Sequence, residues 1–318
     1  MKAKAFFKNE IMIVVLIALC VIFGIINPNF VSVKNLLNIC TQQAYMIIAT
    51  TGVAIIMISG GTDLSVGYSM SVVGIVVSIC MTEAFLPTPV ALLIGVVIGI
   101  VLGAFNGFVS NLFSIHPMII SLATMTMYNG ISYTISGSKS YAHFPQDFMN
   151  IGQGKIGAIS IPIIIFVIVV VLFSFILAKT CFGRFIYAVG GNPEAAHLAG
   201  INVKKIKLLV FIIAGALFAL ADIVLISRGG SANSGMGTST AFDGITACVL
   251  GGVSFIGGAG KIRGALVGCL ILGVLSNGMQ LAGMGVYAQD IVKGAILIIS
   301  IAIDTFQQNA KTKVKKAA

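Results

Sequence analysis

The stretch "MISGGTDLSVGYSM", Met57–Met70, sets a single carboxylate, Asp63, between two uncharged runs, residues 44–60 and 64–82. A carboxylate placed there can carry a proton, ligate a solute, or close a turn between two helices. Gly60, Gly61 and Gly67 surround it and, with Ser65, complete the motif. A second stretch, "CFGRFIYAVGGNPEAAHLAGINVKKIK" at 181–207, carries its own helix signal. Asn192-Pro193-Glu194 reads as an N-cap, a proline at the first helical position and an acid at the positive helix end. Ala195 and Ala196 continue that helix and Gly200 stops it. A short helix between cationic segments is either a docking element or a solvated loop.

A third group lies within an apolar run. Ser121, Thr124, Tyr128 and Ser132 recur at helical spacing, with Thr126 and Asn129 beside them. A neutral hydrogen-bonding stripe suits a passage for an uncharged polyhydroxylated solute, or hydrogen bonds between helices. Charges within apolar runs are few: Asp222, and Asp290 three residues before Lys293, a spacing that lets the last two pair on one helix face. They do not assemble into a proton relay. His116, His143 and His197 fall in three different loops, and the six cysteines are scattered without a CxxC pair. No nucleophile–base pair or metal-ligand cluster emerges, so an integral membrane enzyme is disfavoured. The nearest imitation of a phosphate loop, "GGAGKIRG" at 257–264, has Phe255 where the first glycine belongs and Ile262 after the lysine. Any ATP drive must therefore come from a partner chain.

The elements that position these residues follow from composition. Of 318 residues, 58% are hydrophobic and 9% charged, far below the roughly 25% charged residues of soluble domains. The expected fold is all-α: a polytopic helical membrane protein forming one transmembrane domain over 1–318. Ten candidate spans cover about 11–27, 43–60, 65–82, 88–112, 117–135, 157–178, 206–226, 244–259, 264–283 and 288–305. The first is read as a retained anchor helix rather than a cleaved signal. The polar segment between the first two is expected to lie along the interface. The spans 244–259 and 288–305 are short and read as candidates for broken or half-crossing helices.

A net charge of +10 raises the question of nucleic acid. The cations instead cluster beside spans: Lys2, Lys4 and Lys8; Lys179, Arg184, Lys204, Lys205 and Lys207; and Lys311, Lys313, Lys315 and Lys316. That is the positive-inside pattern, with both termini, the loop 181–205 and the tail 306–318 cytoplasmic. Parity then makes 136–156 and 227–243 external and puts "GGTDLSVG" at the inner ends of the second and third spans. Glycines at 95, 99, 103 and 107 put small residues on one helix face, for tight packing within the chain or against a second copy. "GGTDLSVG" (60–67) and "GGVSFIGG" (251–258), and "FNG" (105–107) and "SNG" (276–278), form a faint internal echo.

"GRFIYAVGGNPEAAHLAGINVKKIKLLVF" at 183–211 closely resembles the permease subunits of ribose-type ABC sugar importers. So do "ISGGTDLSVG" at 58–67, "GAFNGFVSNLFSIHPMIISLATMTMYNGISY" at 103–133, "DGITACVLGGVSFIGGAGKIRGALVG" at 243–268 and "QDIVKGAILIISIAID" at 289–304. The resemblance implies a bacterial cytoplasmic-membrane importer in which two permease copies, alike or different, form one pathway. It implies ABC ATPase subunits binding ATP and Mg at the inner face, an external solute-binding protein, a sugar substrate and no cofactor in this chain. It makes Arg184, Asn192, Pro193, Glu194, Ala195, Ala196 and Gly200 the ATPase-coupling loop. It marks Gly60, Gly61, Asp63, Ser65 and Gly67 as a signature turn near an inner gate. Ser121, Thr124, Tyr128, Asn129 and Ser132 stand as candidate pathway-lining residues. Asp222 departs from the family, which commonly has a small residue there. The expected function is import of a monosaccharide, ribose or another pentose, on a partner's ATP. The alternatives are an autoinducer-2 or nucleoside permease, or a stand-alone proton-coupled transporter.

Overall fold

In hydrocarbon a chain must satisfy its own backbone, which a helix does within one segment. The computed structural model describes residues 2–316, and nearly all the apolar runs are helical in it. Side chains of residues 2–11, 303, 304 and 306–316 lie outside that description, and with them the terminal lysines used above to orient the chain. Helix α1 (Lys2–Ile26) is followed by a 3-10 turn, Pro28–Val31, which Asn27 caps by accepting from the Asn29 N–H. Helix α2 (Val33–Ile58) then starts at once, because the Ser32 hydroxyl accepts from the Asn35 N–H. The polar segment expected along the interface is thus mostly the first turns of α2.

Helices α3 (Val66–Thr82), α4 (Thr88–Phe113) and α5 (Pro117–Ser136) complete the first half. On the outer side come β1 (Tyr141–Ala142), α6 (Gln146–Gln153) and a hairpin of β2 (Lys155–Ile156) and β3 (Ile159–Ser160) with Lys155 opposite Ser160. Helix α7 (Ile161–Lys179) returns to the inner side, where α8 (Cys181–Gly191) and α9 (Pro193–Leu198) lie. The second half is α10 (Val203–Gly229), β4 (Ser231–Ala232), α11 (Thr240–Leu250), α12 (Ile262–Leu281) and α13 (Val286–Lys316). Strand β4 pairs antiparallel with β1, Tyr141 opposite Ala232. Among the described residues α2, α4, α7, α10 and α12 are each long and apolar enough to cross a membrane.

The two halves pack alike. Helix α2 lies along α10 at the centre; α2 also packs on α12, as α10 packs on α4. Within the halves, α3 meets α4 and α5 as α11 meets α12 and α13. Because α2 runs inward and α10 outward, the halves form an inverted repeat. "FNG" and "SNG" do occupy equivalent helices, α4 and α12. The counterpart of the 60–67 turn, however, is the α10–α11 connection, "GGSANSGMG" at 229–237, and not 251–258.

Glycine sets the closest contacts. A Cβ on Gly99 would strike the Gly215 carbonyl, one on Gly103 that of Phe211, and one on Gly215 that of Gly99. In the glycine stripe of α4, Gly99, Gly103 and Gly107 therefore pack on α10, and Gly95 packs on Val77 of α3, all within the chain. The run 244–259 is broken: α11 has 11 residues, about 16 Å of helix against about 30 Å of hydrocarbon. The backbone from 251 to 261 is irregular and only partly covered: Gly251, Val253 and Ser254 are buried, while Ile256, Ala259 and Lys261 are exposed. The Val253 N–H donates to the Cys248 carbonyl and Gly258 N–H to the Ile58 carbonyl, each near 2.9 Å. By contrast α13 passes without a break through 288–305.

Candidate coupling site at the inner ends of the helices

Thr180 opens α8 by accepting from the Gly183 N–H at 3.2 Å. Gly183 has no room for a side chain, since a Cβ would strike the carbonyls of Ile176 and Leu177. The Asn192 side chain then accepts from the Ala195 N–H at 3.0 Å, with Pro193 in the first turn and Glu194 beside it. Gly200, at φ +82°, ends the segment, and the Ile201 N–H reaches back to the Ala196 carbonyl at 3.0 Å. Ala196 alone faces inward; Asn192, Pro193, Glu194, Ala195 and Gly200 are exposed, and Leu198 is 88% exposed. Beside it, a groove of about 390 Å³ opens between Phe182 and Phe185 of α8 and Gly200–Ile206. Arg184 is exposed nearby, its Nη2 2.8 Å from Cys181 Sγ.

Three glycine doublets meet behind α9. The Gly190 Cα lies so close to the Ile58 carbonyl that a Cβ would strike it, and that Cβ would lie 2.8 Å from Gly258 N. A Cβ on Gly257 (φ +109°) would fall 2.6 Å from Gly60 Cα, and one on Gly258 2.6 Å from Gly191 Cα. The Gly258 N–H donates to the Ile58 carbonyl at 2.9 Å, and the Tyr187 hydroxyl to the Gly260 carbonyl at 2.7 Å. Burial pushes the Tyr187 phenol up, keeping it a donor. Three backbones therefore touch where α9 joins the bundle: the end of α8, the α2–α3 turn and the 251–261 loop.

The α2–α3 turn continues this contact into the bundle. Gly60 takes φ +82°, and Asp63 beyond it is 2% exposed. Its Oδ1 accepts from the Ser65 N–H at 2.8 Å and the Ser65 hydroxyl at 2.7 Å, an Asx turn just before α3. Asn106 of α4 donates to the Ser65 hydroxyl at 2.9 Å and, more weakly, to Asp63 Oδ2 at 3.4 Å. Burial pushes the Asp63 carboxyl up, and the bonds from Ser65 and Asn106 hold it partly back. The Tyr128 hydroxyl bonds the Leu102 carbonyl at 2.9 Å with Asn106 Oδ1 at 3.3 Å. Ser121 accepts from the Leu64 N–H at 3.0 Å. At Gly67 the chain meets the outer connection, for a Cβ there would strike the Gly237 carbonyl. Opposite the turn, burial and nearby Lys207 push His116 down; its Nδ1 accepts from the Met118 N–H at 3.3 Å to cap α5.

Residues 35–301 match the family described as branched-chain amino acid transport system / permease component. The chain belongs to that permease family. This permease is 37% identical over 300 residues to the ribose import permease protein of Haemophilus influenzae, covering 92% of each chain. It is 37% identical over 291 residues to that of Bacillus subtilis, covering 91% of this chain and 90% of the other. It is 34% identical to the galactose/methyl galactoside import permease protein of Escherichia coli, covering 94% of each. No solved structure matches it. The permease is thus a multi-pass protein of the cytoplasmic membrane and a transport component rather than an enzyme.

Within the permease, the stripe of Ser121, Thr124, Tyr128 and Ser132 faces inward. All four are buried, Asn129 is half-buried, and Ser132 bonds Ser71 at 2.8 Å. Ser121, Tyr128 and Ser132 hold α5 to its neighbours through the Leu64 N–H, the Leu102 carbonyl and Ser71. The opposite face of α5, Thr126, Met127, Gly130, Tyr133 and Thr134, is exposed, and nothing lies within 4 Å of a Cβ on Gly130. Lys293 pairs with Asp243 of α11 at 3.4 Å and not with Asp290. Asp222 sets its Oδ2 against Gly74 of α3, and neither of its oxygens has a hydrogen-bond partner among the described residues. Asn106, Tyr187 and the doublets at 190–191 and 257–258 were not singled out for the site from sequence. An amide in an apolar helix and repeated GG pairs near helix ends are the signals that mark them.

Proposed function

We propose that the permease imports a monosaccharide, most consistently ribose or another pentose, driven by ATP hydrolysed on a partner ATPase. The observation that carries this reading is the glycine junction behind α9. An ATPase docked on exposed α9 and its neighbouring groove would push a rigid, capped helix. That push reaches the α2–α3 turn and the 251–261 loop directly, through backbone contacts that no side chain cushions. Shifting the inner ends of α2, α3 and α12 together is how such a push would switch the pathway between outward-open and inward-open states. ATP and Mg belong to the ATPase in this scheme, and an external solute-binding protein delivers the sugar.

A sugar is favoured over a branched-chain amino acid by two things. The relatives cited, aligned over nine-tenths of the chain, carry ribose and galactose permease names. The open face of α5 also offers Thr126, Tyr133 and Thr134 around Gly130, hydroxyls suited to a polyol and costly against lipid. We place the pathway along that face, completed by a second permease copy. The test is binding-protein-dependent uptake of labelled ribose, with galactose and leucine as competitors, in proteoliposomes holding permease, ATPase and binding protein. Competition by leucine but not by either sugar contradicts the reading. Glu194→Arg inverts the exposed charge of α9 and is expected to lower uptake about tenfold or more by weakening ATPase contact. Normal uptake with normal ATPase association would contradict the docking role.

A further inference from the structure

The outer side of the permease carries a groove that the transport cycle proposed above does not use. It has a volume of about 540 Å³ and is walled by the start of α2, the β2–β3 hairpin and the outer ends of α10 and α12. Its cations are Lys34, Lys155 and Arg228, and none of its lining residues is acidic. The positive-inside bias works against cations on this face, so three gathered around one acid-free groove call for an anion. Arg228 adds a second sign of a missing partner: its Nε is buried and makes no hydrogen bond among the described residues. The Gln153 amide N–H donates to the Arg228 carbonyl at 3.1 Å. Asn38 and Thr41 lie one and two turns below Lys34 on α2, so the groove reaches about 10 Å down the helix.

What borders the groove identifies the anion's source. Ile25, Ile26, Val31 and Val33 are 53–79% exposed at the α1–α2 corner. Ile156 and Ile159, at the tip of the hairpin that bears Lys155, are 66% and 46% exposed. Leu37 and Leu281 line the groove itself. Cations and amides at the level where apolar helices end, rimmed by bare aliphatic side chains, match a lipid: phosphate above, acyl chains below. We infer that this groove is a phosphate-binding site occupied by the headgroup of an outer-leaflet phospholipid.

The inference is tested by native mass spectrometry of the delipidated full-length permease with dihexanoyl phosphatidylglycerol, beside dihexanoylglycerol, inorganic phosphate and an acidic peptide. The phospholipid is expected to bind, and each of Lys34→Gln, Lys155→Gln and Arg228→Gln to weaken it about fivefold. Lys155 is exposed on a hairpin, so its variant keeps the test valid should Arg228→Gln fail to fold. Displacement by millimolar inorganic phosphate would keep the phosphate site and make its source soluble. Equal binding of dihexanoylglycerol, binding unchanged in all three variants, or binding of the acidic peptide alone would overturn the proposal. The readout is lipid binding, so it stands or falls independently of the transported solute.

Discussion

Asp63 occupies a site where an uncompensated charge would be costly, and its neighbours explain how it is kept. Two hydrogen bonds from Ser65 and one from Asn106 absorb its oxygens. Asp63→Asn preserves the acceptor that holds Ser65, so near-normal thermal stability in detergent is expected. Asp63→Ala strands the Ser65 N–H and hydroxyl and should cost about 1–3 kcal/mol; equal stability of both variants would contradict the Asx-turn role. Asp222 is the opposite case, a buried carboxyl whose oxygens nothing among the described residues satisfies. Asp222→Ala should leave ATP-driven uptake intact and raise stability by about 1–3 kcal/mol, because it removes an unmet polar burial. Loss of uptake would make Asp222 a working group and favour proton coupling. The turn around Asp63 was legible from its glycines and apolar flanks. Asn106 was not, because it lies 43 residues away in sequence.

At the scale of the elements, periodicity found the helices but not the direction in which each face points. The hydroxyl spacing of α5 was plain, yet only its neighbours show that Ser121, Thr124, Tyr128 and Ser132 face the chain's own core. Likewise, helical spacing placed Asp290 beside Lys293, while the acid that pairs with Lys293 comes from α11, across the bundle. The broken 244–259 segment was suspected from its shortness, as was 288–305, which α13 crosses without a break. The path of 244–259 back to the α2–α3 turn depends on long-range contacts that no local pattern carries. Packing of α4 on α10 is testable directly. Gly215→Ala forces a methyl against the Gly99 carbonyl, with Gly103 Cα 3.1 Å away, and should lower stability by about 1–3 kcal/mol. An unchanged melting temperature would mean that the two helices do not pack so closely.

For the whole molecule, the repeated halves place a half-length helix and its irregular loop beside the turn that the end of α8 abuts. The echo was faint in sequence because the halves share packing more than residues: Asp63 has no carboxylate counterpart in "GGSANSGMG". Completion of the open face of α5 by a second copy, as proposed, is tested by cross-linking. Gly130→Cys is expected to give a cross-linked dimer on mild oxidation in membranes, and its absence would place that face against lipid. The central claim, that a partner's ATP drives this permease through α9, is tested most directly by its source of energy. Reconstituted with ATPase and binding protein, the permease should accumulate labelled ribose only when ATP is present on the ATPase side. A proton gradient applied to the permease alone should give none. Uptake driven by that gradient without an ATPase would contradict the account.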